Sequence, residues 1–204
     1  MEDKKVIVCD VDGVLLKWES NLPFFALDNG INPIPILQHY NAPTHIVLTE
    51  LFSTSNKKIA QEFAYAYNLS AFGRHLTGYP DAIDEIHKLA RDYKLVALTS
   101  FGSTQQHYSN RMRNLQAFFP NMFSEVICID YDVDKTEYFA GIESRHGKIE
   151  AVIDDQMYNL DNVRRFYNNN TDICIIHLNR HDDSADVKSC ADINDYIKNY
   201  RQLK

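Results

Sequence analysis

The chain has 204 residues, of which 45% are hydrophobic and 24% are charged, as is usual for a globular protein of one ordinary domain. Its formal net charge of −7 argues against binding to nucleic-acid polymers, because proteins that bind the phosphate backbone are usually basic. The sequence contains neither the apolar region of a signal peptide nor the roughly 18 apolar residues of a membrane-spanning helix. We therefore expect a cytoplasmic protein that does not bind membranes.

The cysteine pattern agrees with that location. The chain has four cysteines, which are far apart and form no CxxC pair: Cys9, Cys128, Cys174 and Cys190. Three of them lie inside apolar runs, where free thiols are usually buried. We expect unpaired cysteines in a reducing compartment.

Five short apolar runs rich in valine and isoleucine predict the strands. They lie at 5–9, 94–99, 125–129, 150–154 and 172–178. Because these runs are continuous rather than alternating, we expect strands buried on both faces of a parallel sheet. Helical patterns alternate with the last four strands, at 79–93, 103–119, 134–147, 157–170 and 191–203. This order predicts an α/β three-layer sandwich with a five-stranded parallel Rossmann-like sheet.

One segment, 17–77, interrupts the alternation between the first strand and the second. Within it, residues 55–70 predict an amphipathic helix whose apolar face carries Ile59, Phe63, Ala64 and Tyr67. We interpret 17–77 as a small helical cap, and 1–16 together with 78–204 as the core domain. Such a cap would leave the sheet at the edge where open α/β sheets bind ligands, and it would close over a site there. An irregular surface insertion is the alternative.

Acidic and hydroxyl side chains follow three of the predicted strands. In chain order they are Asp10 and Asp12, then Thr99 and Ser100, then Asp154 and Asp155. Because the carboxyl ends of parallel strands meet at one edge of a sheet, we expect these side chains to converge. Clustered carboxylates repel one another unless a cation neutralises them, and an oxygen-only ligand set favours Mg²⁺.

In this order the motifs resemble those of the haloacid dehalogenase-like (HAD) superfamily of phosphohydrolases. The matching segments are DVDGV (10–14), VALTS (96–100), VIDD (152–155) and a lysine after the third strand. The resemblance covers the predicted core domain, and the insertion has the position of the superfamily's helical cap. It implies a Mg²⁺-dependent phosphatase that hydrolyses a small phosphorylated metabolite or nucleotide.

The resemblance also implies a role for each matching residue. Asp10 would be the nucleophile that forms an aspartyl-phosphate, and Asp12 would protonate the leaving oxygen and then activate water. The Thr99 side chain and the backbone around Ser100 would bind the phosphate. Dehalogenases of the superfamily lack the second aspartate, so the presence of Asp12 favours a phosphatase.

The metal ligands implied by the resemblance overlap with these residues. They are Asp10, the backbone carbonyl of Asp12, Asp154 and Asp155. Of the last two, Asp155 is favoured as the direct ligand.

Two further assignments concern single residues. The phosphate-stabilising lysine is expected to be Lys135, which follows the third strand at the same edge, and Lys148 is the alternative. Trp18 follows the first motif and is a candidate substrate contact, although aromatic residues more often pack in a core.

A narrower resemblance connects residues 98–120 and "LNRH" (178–181) to the 5′(3′)-deoxyribonucleotidase branch of the superfamily. The chain departs from that branch at Phe101, where the branch has proline, and in a longer spacing between the lysine and "IDD". A nucleoside monophosphatase is therefore one alternative function, and a catalytically silent HAD-fold interaction module is another. A signalling receiver domain also clusters Asp, Thr and Lys around Mg²⁺, but its paired acids follow the first strand, whereas the Asp154–Asp155 pair here follows the fourth predicted strand. The sequence therefore argues against that class. The oligomeric state is left open.

Overall fold

A computed structural model of the protein describes residues 4–40, 47–168 and 172–202, and it contains seven strands in these residues. In chain order they are β1 (Val6–Cys9), β2 (Leu16–Lys17), β3 (Thr77–Gly78), β4 (Lys94–Ser100), β5 (Phe123–Ile129), β6 (Ile149–Asp154) and β7 (Cys174–His177). Five of them form a parallel sheet in the order β5–β4–β1–β6–β7. All five predicted strands are confirmed, and so is the α/β fold class.

Helices pack on the sheet and fill the insertion. They are α1 (Leu22–Asp28), α2 (Ile34–His39), α3 (Leu48–Leu51), α4 (Lys57–Leu69), α5 (Pro80–Asp92), α6 (Gln105–Phe118), α7 (Phe139–His146), α8 (Met157–Phe166) and α9 (Ile193–Gln202). The five helices predicted in the core domain are present. The parts of the predicted helices and cap that fall on 41–46, 169–170 and 203 lie outside the described residues.

The burial of the central strands explains the continuous apolar runs. Every residue of β1 and of β6 is buried, because helices cover both faces of the sheet. Two apolar clusters lie on opposite faces of the sheet: Ile7 and Cys9 belong to one, and Val6 and Val8 to the other. The four cysteines are unpaired, and only Cys128 is not fully buried.

No helix in the described parts of the chain is long and apolar enough to cross a bilayer.

The insertion begins and ends at one place. β2 pairs antiparallel with β3, so the two ends of the insertion lie side by side. Two-residue strands have no periodicity, and the sequence therefore did not predict this pair. The predicted helix at 55–70 is α4, and it buries Ala64 and Tyr67 of its predicted apolar face together with Ala60, whereas Ile59 is 40% exposed. The division into core and cap domains stays a prediction.

Asn68, at the end of α4, connects the insertion to the sheet. Its side-chain amide donates to the Phe101 carbonyl and to the Tyr131 hydroxyl, both at 2.9 Å. Its side-chain oxygen accepts from the Trp18 indole N–H at 2.8 Å, and its backbone carbonyl accepts from Asn110 at 2.8 Å. Because Asn68 is fully buried, each of these partners depends on it for a hydrogen bond.

We expect Asn68→Ala to lower the free energy of unfolding by about 3 kcal/mol, because it leaves several buried polar groups unpaired. Urea denaturation measures this change. The exposed Asn199 on α9 is the matched control, and Asn199→Ala should change the value by less than about 0.5 kcal/mol. Equal effects of the two substitutions would contradict the role given to Asn68.

Candidate active site

The carboxyl ends of three neighbouring strands form the site. β1 pairs with β4 on one side and with β6 on the other, in parallel register. Asp10 follows β1 directly, Thr99 lies near the end of β4, and Asp154 ends β6. The structure thus brings together side chains that are more than 140 residues apart in the sequence.

Lys135 is the buried cation of this edge. It begins a 3₁₀ turn after β5, and only 7% of the residue is exposed. Its Nζ donates to Asp154 Oδ2 at 2.7 Å and lies 2.8 Å from Asp10 Oδ1. Burial lowers the pKa of Lys135, but the two carboxylates outweigh burial and raise it above its usual range. The alternative, Lys148, precedes β6 and has a 65% exposed side chain, so it lies outside the site.

Three carboxylates crowd around this lysine. Asp10, Asp154 and Asp155 each place an oxygen within 4.8 Å of the others. Burial raises the pKa of Asp10 to about 7; the charge of Lys135 lowers it, and the charge of Asp154 raises it further. Burial and the charges of Asp10 and Asp154 also raise the pKa of Asp155. The three carboxylates therefore carry more negative charge than the single ammonium of Lys135 can balance.

The two consecutive aspartates differ in their partners. Asp154 Oδ1 accepts from the backbone N–H of Gln156 at 2.9 Å and from Asn159 Nδ2 at 3.0 Å, and Oδ2 accepts from Lys135. Both of its oxygens are thus used within the protein. Asp155 Oδ1 is buried and has no hydrogen-bond partner among the described residues. This difference favours Asp155 as a direct metal ligand and Asp154 as the residue that holds Lys135.

A divalent cation fits this cluster. The donors are all carboxylate oxygens, they carry more negative charge than Lys135 balances, and one of them is buried without a partner. Hard cations such as Mg²⁺ prefer such oxygens. Asp10 and Asp155 would hold the ion. The Asp12 carboxylate lies outside the cluster, and the assignment of its backbone carbonyl to the metal stays a prediction.

The loop after β1 turns sharply against Asp155. Gly13 has φ of +78°, and a Cβ at this position would collide with the Asp155 carboxylate. Arg180 Nη1 donates to the Gly13 carbonyl at 2.8 Å, and Nη2 donates to the Val14 carbonyl at 3.1 Å. Arg180 belongs to the "LNRH" segment, and it fixes the loop that carries Asp12.

Asp12 forms an ion pair that the sequence did not predict. Its Oδ2 accepts from Nη2 of Arg111 on α6, a fully buried residue. The Arg111 guanidinium also lies 3.8 Å above the centre of the Phe101 ring. Burial raises the pKa of Asp12, and Arg111 opposes that shift. Polar residues on a helix usually indicate an exposed face, so the sequence offers no signal for a buried Arg111.

The predicted substrate contacts also lie at this edge. Thr99 is fully buried, and its hydroxyl has no hydrogen-bond partner among the described residues. Ser100 follows it and is partly exposed. Trp18 packs edge-on against Tyr67 at 5.2 Å, and its indole N–H already donates to Asn68. Trp18 can therefore offer a ligand only its ring.

A cavity of about 1050 Å³ lies between this edge and the insertion. The predicted site residues that line it are Asp10, Asp12, Trp18, Thr99, Ser100, Lys135 and Asp155. Asp154 does not line it, which agrees with its place behind Lys135. The opposite wall comes from the insertion and includes Glu19, Ile36, Tyr40 and Leu51. The cavity is large enough for a drug-sized organic ligand.

A parallel sheet with acids, a lysine and a hydroxyl at one edge, facing a helical insertion across a cavity, defines an α/β protein with a candidate ligand site at that edge. Comparison with solved structures identifies the fold of this α/β protein. The chain has the haloacid dehalogenase-like fold, and the resemblance seen in its motifs is confirmed at the level of the fold.

Two solved structures illustrate the likeness. A haloacid dehalogenase-like family hydrolase of Streptococcus pneumoniae superimposes with a TM-score of 0.62 at 13% identity, over 98% of this chain and 92% of that one. YfnB of Bacillus subtilis, named as a HAD-hydrolase and bound to magnesium, has a TM-score of 0.61 at 11% identity, over 96% and 99%. L-2-haloacid dehalogenases are also among the matches.

Sequence comparison finds a phage relative. The chain is 35% identical over 160 residues to an uncharacterized 32.4 kDa protein of Enterobacteria phage T4, from the Gp30-rIII intergenic region. The match covers 78% of this chain and 57% of that protein, so the chain spans little more than half of the relative's length. No protein-family model matches the chain.

We expect Mg²⁺ to raise the melting temperature of the wild type, because a ligand that binds only the folded state adds about 2.7 kcal/mol at 100 times its Kd. Asp155→Asn should remove this rise. Without metal, the variant should melt above the wild type, because it loses a carboxylate that burial and like charges disfavour. Asp161→Asn, at an exposed acid on α8, is the control and should behave as the wild type. A normal Mg²⁺ response in Asp155→Asn would contradict the assigned ligand.

We expect Arg111→Met to lower the free energy of unfolding by about 3 kcal/mol, because it leaves the Asp12 carboxylate without its partner. Adding Asp12→Asn to that variant should restore part of the loss. A double-mutant cycle in urea measures the coupling, which should be at least about 1 kcal/mol. Arg113→Met, at an exposed position on the same helix, is the control. Additive effects of Arg111→Met and Asp12→Asn would show that the pair contributes nothing.

Proposed function

We propose that the protein is a Mg²⁺-dependent phosphatase that hydrolyses a small phosphate monoester through an aspartyl-phosphate on Asp10. One observation carries the proposal: the Asp10 carboxylate faces a large cavity, is fixed by the buried Lys135, and has a second acid two residues later. The haloacid dehalogenase-like fold supports hydrolase chemistry at this edge.

The side chains suit the two steps of such a reaction. Lys135 contacts Oδ1 of Asp10, which leaves the other oxygen to attack phosphorus and displace the ester oxygen. Asp12 gives its proton to that oxygen and afterwards takes a proton from the water that hydrolyses the aspartyl-phosphate. Burial raises the pKa of Asp12, which favours a protonated acid, and its Oδ1 has no hydrogen-bond partner among the described residues.

Two other groups would act on the phosphate. The unpartnered Thr99 hydroxyl is available to donate to a phosphate oxygen. A bound cation would supply charge neutralisation for the phosphate and for the carboxylates that hold it. Charge neutralisation and positioning account for most of the catalysis of phosphoryl transfer.

The second acid argues against dehalogenation, although dehalogenases share the fold. A halide leaves as a weakly basic anion and needs no proton, whereas the alkoxide of a phosphate ester is strongly basic and does. Asp12 lines the cavity and would have no task in displacing a halide.

A nucleoside monophosphatase is the second candidate. Its support is the wall of the cavity, which is rich in aromatic rings: Trp18, Tyr40, Tyr79, Tyr131 and Tyr158. Aromatic rings stack on nucleobases, and the cavity volume suits a nucleotide. A catalytically silent interaction module is the remaining alternative, and it predicts no turnover of any ester.

We expect the wild type to release phosphate from phenyl phosphate with Mg²⁺, and Asp10→Asn to lose at least about 1000-fold in kcat, because the nucleophile is gone. Lys135→Met should lose about 100-fold or more. Lys148→Met is the matched control, and it should retain activity because its side chain is exposed and outside the site.

Two steady-state assays decide among the functions. Phosphate release is measured for sugar phosphates and nucleoside monophosphates, and halide release is measured for a haloacid. Turnover of no phosphate ester by the wild type would overturn the phosphatase. Equal loss in the two lysine variants would overturn the role of Lys135.

A further inference from the structure

Glu19 differs from the other residues of its turn, whose side chains all form hydrogen bonds with more distant parts of the chain. The 3₁₀ turn Trp18–Asn21 begins the insertion directly after β2. Trp18 donates to Asn68, Ser20 Oγ accepts from the backbone N–H of Thr77 at 3.1 Å, and Asn21 Nδ2 donates to the His75 carbonyl at 2.7 Å. The neighbours of Glu19 therefore hold the turn in place, whereas Glu19 lines the cavity.

Within the described residues, the Glu19 carboxylate is hydrogen-bonded by its own backbone N–H and by no side chain. Its Oε2 is buried without a hydrogen-bond partner, and the described residues place no cation within ion-pair distance of it. The ammonium of the nearby Lys17 instead lies 3.8 Å above the Tyr40 ring. Burial raises the pKa of Glu19, and the hydrogen bond from its own backbone and the charge of Lys17 oppose that shift. An unsatisfied carboxylate in a cavity wall is costly unless a ligand satisfies it.

The position of Glu19 relative to Asp12 indicates which part of a ligand it meets. Asp10 would hold phosphorus, and Asp12 would protonate the ester oxygen, so the alcohol of the substrate extends away from the sheet. Glu19 lies on the wall formed by the insertion, close enough to Asp12 for the Asp12 charge to affect its ionisation. From the wall of the insertion, Glu19 would meet the alcohol rather than the phosphate.

We propose that Glu19 is a specificity-determining residue that accepts hydrogen bonds from O–H or N–H donors on the alcohol part of the substrate. This inference rests on the proposed phosphatase function and narrows its substrate class. The preferred ester carries hydroxyl or ammonium groups beyond its phosphate, and an ester with a purely apolar alcohol leaves Glu19 unsatisfied. Selection of this kind is strong, because an unmet buried acceptor disfavours the analogue that lacks the donor.

The test compares kcat/KM for three esters with Mg²⁺. Ribose 5-phosphate carries hydroxyl donors, phosphoethanolamine carries an ammonium, and phenyl phosphate carries neither. The ratio of each donor-bearing ester to phenyl phosphate is measured in the wild type, Glu19→Met and Glu19→Gln. The ratio cancels any general effect on folding or on the phosphate centre. Glu62→Met, at an exposed glutamate on α4, is the control and should leave both ratios unchanged.

We expect Glu19→Met to lower at least one ratio by about 10-fold or more, the effect of losing hydrogen bonds to a charged group. Glu19→Gln distinguishes the two donors. Its amide oxygen still accepts from a hydroxyl, so a ribose preference should survive within about 3-fold, whereas an ammonium preference should fall as in Glu19→Met.

Three outcomes would overturn the assignment. If ratios in Glu19→Met stay within 2-fold of the wild type, Glu19 does not select the alcohol, and the phosphatase function stands. If the wild type hydrolyses phenyl phosphate but neither ribose 5-phosphate nor phosphoethanolamine, Glu19 again does not select the alcohol, and the phosphatase function stands. Failure to hydrolyse any of the three esters removes the phosphatase function and the role of Glu19 together.

Discussion

The contact of one buried ammonium with two carboxylates organises the reaction edge of this protein. Lys135 touches Asp10 and Asp154, which come from neighbouring strands, and it does so almost out of contact with water. Its charge makes it possible to bury those carboxylates, yet it does not balance all of them. Burial, together with the charges of the neighbouring acids, keeps the pKa of Asp10 and of Asp155 high, and the remaining negative charge favours a cation at this edge.

Much of the fold could be predicted from the sequence because parallel strands have a direct local signature. Within the run 94–99, residues 95–98 are apolar without interruption, and that pattern indicates burial on both faces of the strand. Asp10 and Asp154 could be placed at one edge for the same reason: the topology of a parallel sheet decides where strand ends meet. The separation of the Asp154 and Asp155 roles needed the structure, because it depends on partners such as Asn159.

The residues that the sequence did not reveal are polar residues on the buried face of a helix. α6 buries Asn110, Arg111 and Asn114 against the insertion and the β1 loop. Their partners are mostly backbone carbonyls and an acid distant in the chain, for example Gly73 for Asn114 and Asp12 for Arg111. A polar residue has no periodicity that separates such a face from a solvated one, and tertiary contact alone decides.

The pairing of β2 with β3 has a consequence for how this fold varies between proteins. Because both ends of the insertion meet in that pair, the chain leaves the core and re-enters it at one place, as it does at a hairpin loop. The entropy of closing a loop grows only logarithmically with its length. The length of the segment between Lys17 and Thr77 can therefore change at little entropic cost, provided that the contacts of Asn68 with the core are kept or replaced.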